Sequence, residues 1–448
     1  MKLSKLSPLT AISPIDGRYR NQVIALWEYS SEFAVIKYRT EIEIRYLIAL
    51  SKSGVIRKII ISEQKTLSKL IEDFDLAEAE KIKEIENTTR HDVKAIEYYL
   101  KEKLSKSTLN DVLEFIHFGL TSEDINNLTI RLMLKDGFEK VILTNLQILN
   151  DEILSQSKRY KDLPMLGRTH GQAAIPTTLG KELKVFQNRL ENEIKILESA
   201  KLYGKLNGAI GNSSALNFSY PNINWSKFSK EFVESLGLKQ NIYTNQIAPF
   251  EDIIYIFQAV QRINGILLDF NQDMWRYISD HWFIQENKKG EVGSSTMPQK
   301  INPIMFENSE GNLVIANSLI EGFTTKLPIS RLQRDLSNST ISRNFGLTLS
   351  YCLLAYKNSL SGLQRVKANE EKIKEDLNSD WSILSEAVQI YLKKEKVKNG
   401  YEILKELTRG QKLNHESFLA MIEKLPLNQS QKEDLRKLSP ENYIGIIN

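Results

Sequence analysis

The chain has 448 residues, 41% hydrophobic and 26% charged, with 60 Lys and Arg against 56 Asp and Glu for a net charge of +4. That length suggests roughly three domains with a sizeable core, and the balanced charge argues against a non-specific nucleic-acid binder while leaving room for a local anion pocket. No Cys/His spacing matches a metal site, no apolar run reaches the ~18 residues of a membrane span, and the single cysteine cannot form an internal disulfide; a cytoplasmic protein without metal, membrane or nucleic-acid partners is expected.

In chain order, the segment MKLSKLSPLTAISPIDGRY lacks the apolar core of a secretory signal. It ends in a guanidinium beside a phenol, Arg18-Tyr19. Arg90-His91-Asp92 precedes the helical run Val93, Ile96, Tyr99 and Leu100, with Asp92 suited to cap it. A polar break over 105–110 closes an N-terminal helical domain, 1–110. His117 follows, then Thr121-Ser122-Glu123-Asp124, an N-cap cluster whose free N–H groups suit capping and ligand binding alike. Arg168-Thr169-His170-Gly171-Gln172 lies between Pro164 and Pro176 and reads as a loop. A histidine titrates near neutrality and can give or take a proton there, although a loop-capping role is the plainer reading of this residue alone.

Leu179, Leu183, Phe186, Leu190, Ile194 and Leu197 form one apolar helical stripe. Ile253, Ile256, Phe257, Val260, Ile263, Leu267, Phe270, Met274 and Ile278 form another, predicting a helix over 251–283 roughly 50 Å long. Helices of that length need long partners, so 111–365 is expected to be a central bundle. Within it, GSSTMPQKINP places two serines and Lys300 on a glycine-loosened loop. Asn302 suits an N-cap and Pro303 the first helical position. Arg331, Arg334 and Arg343 flank Ser337, Ser339 and Thr340, as phosphate ligands or as a solvated face. Cys352 sits in an apolar run as a structural thiol. Asn369-Glu370 starts a charged C-terminal helical domain, 366–448, with no catalytic cluster. His281, taken to lie on the long helix, and His415 read as structural or solvated. The fold class expected is all-α, in three helical domains.

The segment GSSTMPQKINP resembles the signature loop of the fumarase/aspartase superfamily, whose members eliminate across a C–N or C–O bond and release fumarate. SPIDGRY, TTRHDVKAIEYYLKEKL, TSEDINNL, RTHGQAA, KLNGAIGN, KLPISRLQRDLSNST, ELTRG and NYIG together resemble the adenylosuccinate lyase branch. That resemblance implies a cofactor-free C–N lyase of purine nucleotide biosynthesis, a homotetramer with shared active sites. It would cleave adenylosuccinate to AMP and the succinylated aminoimidazole carboxamide ribonucleotide to its parent. It implies His170 as general acid and Ser294, or its neighbour Ser295, as base. Lys300 and Asn302 would hold the succinyl carboxylates, and Glu307 would orient His170. Arg90, His91, Asp92, Thr121, Ser122, Thr169 and Gln246 would meet substrate, with His117 in support. Arg18, Tyr19, Arg334, Ser339 and Arg343 would grip phosphate. Gln299 is typical of argininosuccinate lyase, the alternative member of the superfamily; RTHGQ and the arginine-serine set discriminate against it.

Overall fold

The computed structural model describes residues 7–286, 297, 299–408 and 412–446. As the stripes predict, helices dominate, and among the described residues strands occur only as three two-stranded ladders. The elements that matter for function are α1 (Glu32–Lys52), α2 (Leu76–Thr89), α3 (Asp92–Leu104), α4 (Ser122–Gly137), α5 (Leu143–Arg159), β1 (Pro164–Thr169), β2 (Gln172–Thr178), α6 (Leu179–Ser199), α7 (Glu251–Ser279), α8 (Ile304–Lys326), α9 (Ser337–Ser342), α10 (Phe345–Leu363) and α11 (Glu370–Asn378). No described helix is long and apolar enough to cross a membrane.

Two compact units divide the chain. The first holds 1–146, 193–265 and 311–356, and the second holds 147–192, 266–310 and 357–448. In the first, Phe257 is the centre of an aromatic cluster, its ring 5.2 Å from Phe323 and 5.0 Å from Phe345. Ile253, Phe257, Val260 and Ile263 of the α7 stripe are fully buried there, each contributing roughly 1.5–3 kcal/mol by leaving water. Cys352 is buried beside Asn264, and burial pushes its thiol up to about 11, as an inert structural thiol requires.

In the second unit, Phe270 lies between Phe186 and Phe306 at 5.5 and 6.4 Å. Gly362 is needed there, because a Cβ would stand 2.9 Å from the Phe306 ring. A closed polar ring sits in this core. Asn271 donates to Ser309 at 2.9 Å, Ser309 meets Ser359 at 2.8 Å, and Ser359 donates back to the Asn271 oxygen at 2.8 Å. Every member of the ring is satisfied, so it sets the register of three helices instead of weakening their packing. Asn369 caps α11 by accepting from the Lys372 N–H, as its sequence position predicts.

Four local expectations need correction. The long helix α7 ends at Ser279, giving a length of about 43 Å. His281 follows it in a left-handed turn (φ 60°), and Phe283 begins a short strand. The cap of α3 is His91, whose Nδ1 accepts from the Lys94 N–H at 3.2 Å, while Asp92 is the first helical residue. Helix α8 begins at Ile304, one residue later than expected, with the Pro303 carbonyl accepting the first helical bonds. The segment Arg168–Gln172 is not a loop but the end of an antiparallel hairpin.

Candidate active site

In the first unit, α4 begins with a reciprocal capping box in which the Thr121 N–H donates to Asp124 Oδ2 at 2.9 Å. This presents Thr121 and Ser122 at a helix N-terminus, where unpaired N–H groups favour an anion or carbonyl. Arg334 reaches the same end: its Nη2 lies 3.5 Å from Glu123 Oε2, and its Nη1 donates to Gln246 Oε1 at 3.1 Å. Gln246 in turn donates to the Ala209 carbonyl at 3.1 Å. Glu123 is buried, and burial pushes its carboxyl above the usual range against the pull of Arg334, Lys205 and Arg131.

Three more expected residues, Asp92, Ser339 and Arg343, line one cavity of about 240 Å³, together with Arg39, Glu123 and Asn338. Asp92 pairs with Arg39 at 2.8 Å. Burial would raise its carboxyl, but the Arg39 charge and the Val93 N–H outweigh burial and hold it below the usual range. The cavity wall is polar and under-used: Arg39 Nε, Asn126 Oδ1, Thr129 Oγ1 and Asn338 Oδ1 are buried without a hydrogen-bond partner among the described residues. Buried polar atoms are nearly always paired, so this wall suits a polar ligand or ordered water. Ser339 lies within α9, and the exposed Arg343 caps its end.

Of the remaining expected residues in this unit, Arg90 ends α2 in a left-handed conformation (φ 57°) beside the exposed His91. Arg18 lies over the Tyr19 ring at 6.0 Å. His117 is turned inward, its Nδ1 2.6 Å from Glu43 Oε1. Burial would lower its pKa, and the bond to Glu43 outweighs that and raises it.

In the second unit, β1 and β2 pair from Pro164↔Thr178 to Thr169↔Gln172. His170 and Gly171 are the two-residue turn, with φ of 54° and 73°. Two positive φ values are what a hairpin's right-handed twist demands, and histidine is among the non-glycine residues that tolerate the first of them. The ladder shifts register between Leu166 and Arg168, where Gly167 passes so close that a Cβ would lie 2.5 Å from the Ile175 carbonyl. Arg168 rests 5.5 Å over the Trp282 ring, and Trp282 Nε1 donates to Asp376 at 2.7 Å. The hairpin is therefore anchored close to its turn by Arg168, and Thr169 and His170 stand exposed at its tip.

Lys300 is exposed, and its N–H donates to the Met297 carbonyl at 3.1 Å. Asn302 follows just ahead of α8. Glu307, on the first turn of α8, accepts from Trp275 Nε1 at 3.0 Å; His170 is not among its described partners. Ser294 and Ser295 lie outside the described residues. Among the described residues no group of His, Cys, Asp and Glu could hold a metal ion.

Sequence reasoning missed Arg39, Asp124 and Lys205 as parts of this arrangement. Asp124 was visible as a capping residue. Nothing local marks Arg39 or Lys205, because a surface lysine and a buried one look alike in sequence.

Two family models match the chain: Lyase over residues 17–316 and Adenylosuccinate lyase C-terminal over residues 330–444. The chain is 47% identical over 445 residues to the adenylosuccinate lyase of Haemophilus influenzae, covering 98% of each chain. It is 43% identical to that of Escherichia coli with the same coverage. It is 46% identical over 456 residues to that of Dictyostelium discoideum, covering 99% of this chain and 98% of the relative. Its fold matches the crystal structure of a fumarate lyase from Mesorhizobium with a TM-score of 0.75 at 17% identity, covering 94% of this chain and 95% of that one. A 3-carboxy-cis,cis-muconate lactonizing enzyme from Pseudomonas putida matches with a TM-score of 0.72 at 19% identity, covering 94% of each.

Proposed function

The chain belongs to the adenylosuccinate lyase family, and on that footing we propose that it removes fumarate by β-elimination from adenylosuccinate, giving AMP, and from the succinylated aminoimidazole carboxamide ribonucleotide, giving the free amide nucleotide. The observation that carries this reading is the likeness to the family's members along 98% of the chain. The polar cavity lined by Ser339 and Arg343 supports a phosphorylated substrate.

In the reaction a base takes a proton from the succinyl carbon next to a carboxylate. The electron pair left behind forms the double bond of fumarate as the C–N bond breaks, and an acid protonates the departing nitrogen. We assign Ser294 as base and His170 as acid. A histidine suits the acid because it is part-protonated near neutral pH. Negative charge builds on the succinyl carboxylate before the C–N bond breaks, and Lys300 with Asn302 at the start of α8 is suited to stabilise it. Glu307 would orient His170, and His117 would support the site through Glu43. Arg18, Tyr19, Arg334, Ser339 and Arg343 would hold the phosphate, and Arg90, His91, Asp92, Thr121, Ser122, Thr169 and Gln246 the rest of the nucleotide.

The exposure of His170 at a hairpin tip supports a site completed by another copy of the chain, and we propose a cytoplasmic homotetramer whose sites draw residues from several subunits. The test is fumarate release by purified protein, offered each of the two succinylated nucleotides and argininosuccinate in turn. Release from both nucleotides and not from argininosuccinate is expected. Release from argininosuccinate alone would overturn the assignment.

A further inference from the structure

Asp124 and Lys205 come from segments some eighty residues apart, and both side chains are fully buried, with Lys205 Nζ 3.1 Å from Asp124 Oδ1. Lys205 Nζ also donates to the Gly208 carbonyl at 2.8 Å. The carboxylate accepts from three backbone N–H groups: Thr121 at 2.9 Å, Asn207 at 3.0 Å and Gly208 at 3.1 Å. Asn127 brackets the lysine's own backbone, donating to its carbonyl at 3.0 Å and accepting from its N–H at 2.9 Å. One carboxylate thus ties the start of α4 to the loop 207–211.

That loop leads directly to two expected substrate residues. Asn207 Nδ2 donates to Thr244 Oγ1 at 2.8 Å. Gly211 (φ 85°) passes so close that a Cβ would lie 2.0 Å from the Thr244 carbonyl. The Ala209 carbonyl holds Gln246, Gln246 holds Arg334, and Arg334 returns to Glu123, the neighbour of Asp124. The contacts close into a ring.

We propose that the Lys205–Asp124 pair is a positioning device: it locks the Thr121-Ser122 helix start to the loop 207–211, and so holds Gln246 and Arg334 ready for the nucleotide. Apolar residues of similar volume would pack this site without the cost of taking two charges out of water. What they would not supply is direction, which the carboxylate imposes on three N–H groups at once. Burial pushes the Lys205 ammonium below the ordinary lysine range, while the charge of Asp124 and its hydrogen bond pull it back. Neither side chain is placed among the expected substrate-contacting groups, so the clamp acts through Thr121, Ser122, Gln246 and Arg334.

The inference rests on the proposed lyase reading, and its test is built to fail separately from it. Lys205→Met leaves a buried carboxylate without its ammonium; Lys205→Met/Asp124→Asn removes both charges and covers the case in which the single variant fails to fold. In whichever variant folds, the KM for adenylosuccinate should rise about tenfold or more while kcat changes by less than about threefold. A purely structural pair would lower the melting temperature and leave the KM of the folded enzyme unchanged, and a KM within about twofold of the parent would overturn the proposal. Hydrogen exchange on the parent protein, with and without AMP, gives a readout that needs no variant. The Asn207 and Gly208 amides should be as protected without nucleotide as with it; free exchange in its absence would overturn the clamp. A parent that releases no fumarate refutes the activity and leaves the exchange result to decide the clamp.

Discussion

In the first unit three of the residues expected to meet substrate are held by other side chains. Arg334 is gripped by Gln246 and Glu123, Asp92 by Arg39, and the Thr121 turn by Asp124. In the second unit His170 and Lys300 are placed by the backbone. His170 stands on a two-residue turn and Lys300 on the chain leading into α8, both exposed. On the proposed roles, the contrast separates binding from chemistry. A binding surface gains from being built in advance, since ordering it afterwards would weaken affinity. An acid that must reach a substrate held elsewhere gains from projecting on a rigid hairpin.

The sharpest way to break this comparison is His170→Asn, which keeps a residue tolerant of positive φ at the turn. Loss of a general acid should lower kcat by about 10²–10⁴-fold, with KM and melting temperature little changed because the side chain is exposed. Steady-state kinetics of fumarate release will decide; a kcat near the parent's moves the acid elsewhere. Mixing that inactive protein with inactive Ser294→Ala and refolding them together should restore up to about a quarter of parental activity, if each site draws these residues from different subunits. Mixed tetramers that stay inactive would count against shared sites.

Arg343→Ala probes the other side of the contrast. Losing one charge-assisted contact to phosphate typically costs roughly 1.5–3 kcal/mol, so KM should rise about tenfold to a hundredfold with kcat nearly unchanged. An unchanged KM would place the phosphate away from the cavity of Ser339 and Arg343.

Smaller effects separate the units by pH. In the second unit, burial and the nearby Asp269 and Glu182 push the Asp273 carboxyl up to about 6 from 3.8. The folded protein then holds a proton that the unfolded chain has released, so stability falls as pH rises through that window and stays lower above it. Asp273→Asn should therefore be more stable than the parent near pH 8, on the order of 2 kcal/mol, with the difference shrinking near pH 4. Equal gaps at both pH values in denaturant titrations would contradict the shift.

In the first unit the window is different. The Glu43 bond raises His117 above 6.5 despite its burial, so its contribution is complete below that value and is lost as pH rises through the folded pKa. His117→Gln should lower the melting temperature by a few degrees near pH 6. That gap should close in alkaline solution, and a gap that persists there would mean packing and not charge.

Much of the helical frame was legible because an apolar stripe is a local signal. The residues from Ile253 to Met274 and from Leu179 to Leu197 show their buried face in their spacing alone. The caps were legible only to within a residue. Asp92 is the better capping residue by propensity, yet His91 takes the role because Asp92 is drawn to Arg39. The hairpin was missed because its strands alternate weakly and carry prolines at 164 and 176, which read as breakers. Its anchor, Arg168 on Trp282, joins residues more than a hundred positions apart.

From its sequence alone the protein was determined to be a helical chain with the motifs of one lyase family, since periodicity and motif spacing are properties of neighbouring residues. Only the tertiary structure decided which charges are buried. Lys205 is one of many lysines until α4 and the loop 207–211 close over it, and Asp124 is a helix cap until that loop brings it an ammonium and two more N–H groups. Burial depends on what packs against a residue from far along the chain, and no local pattern records that.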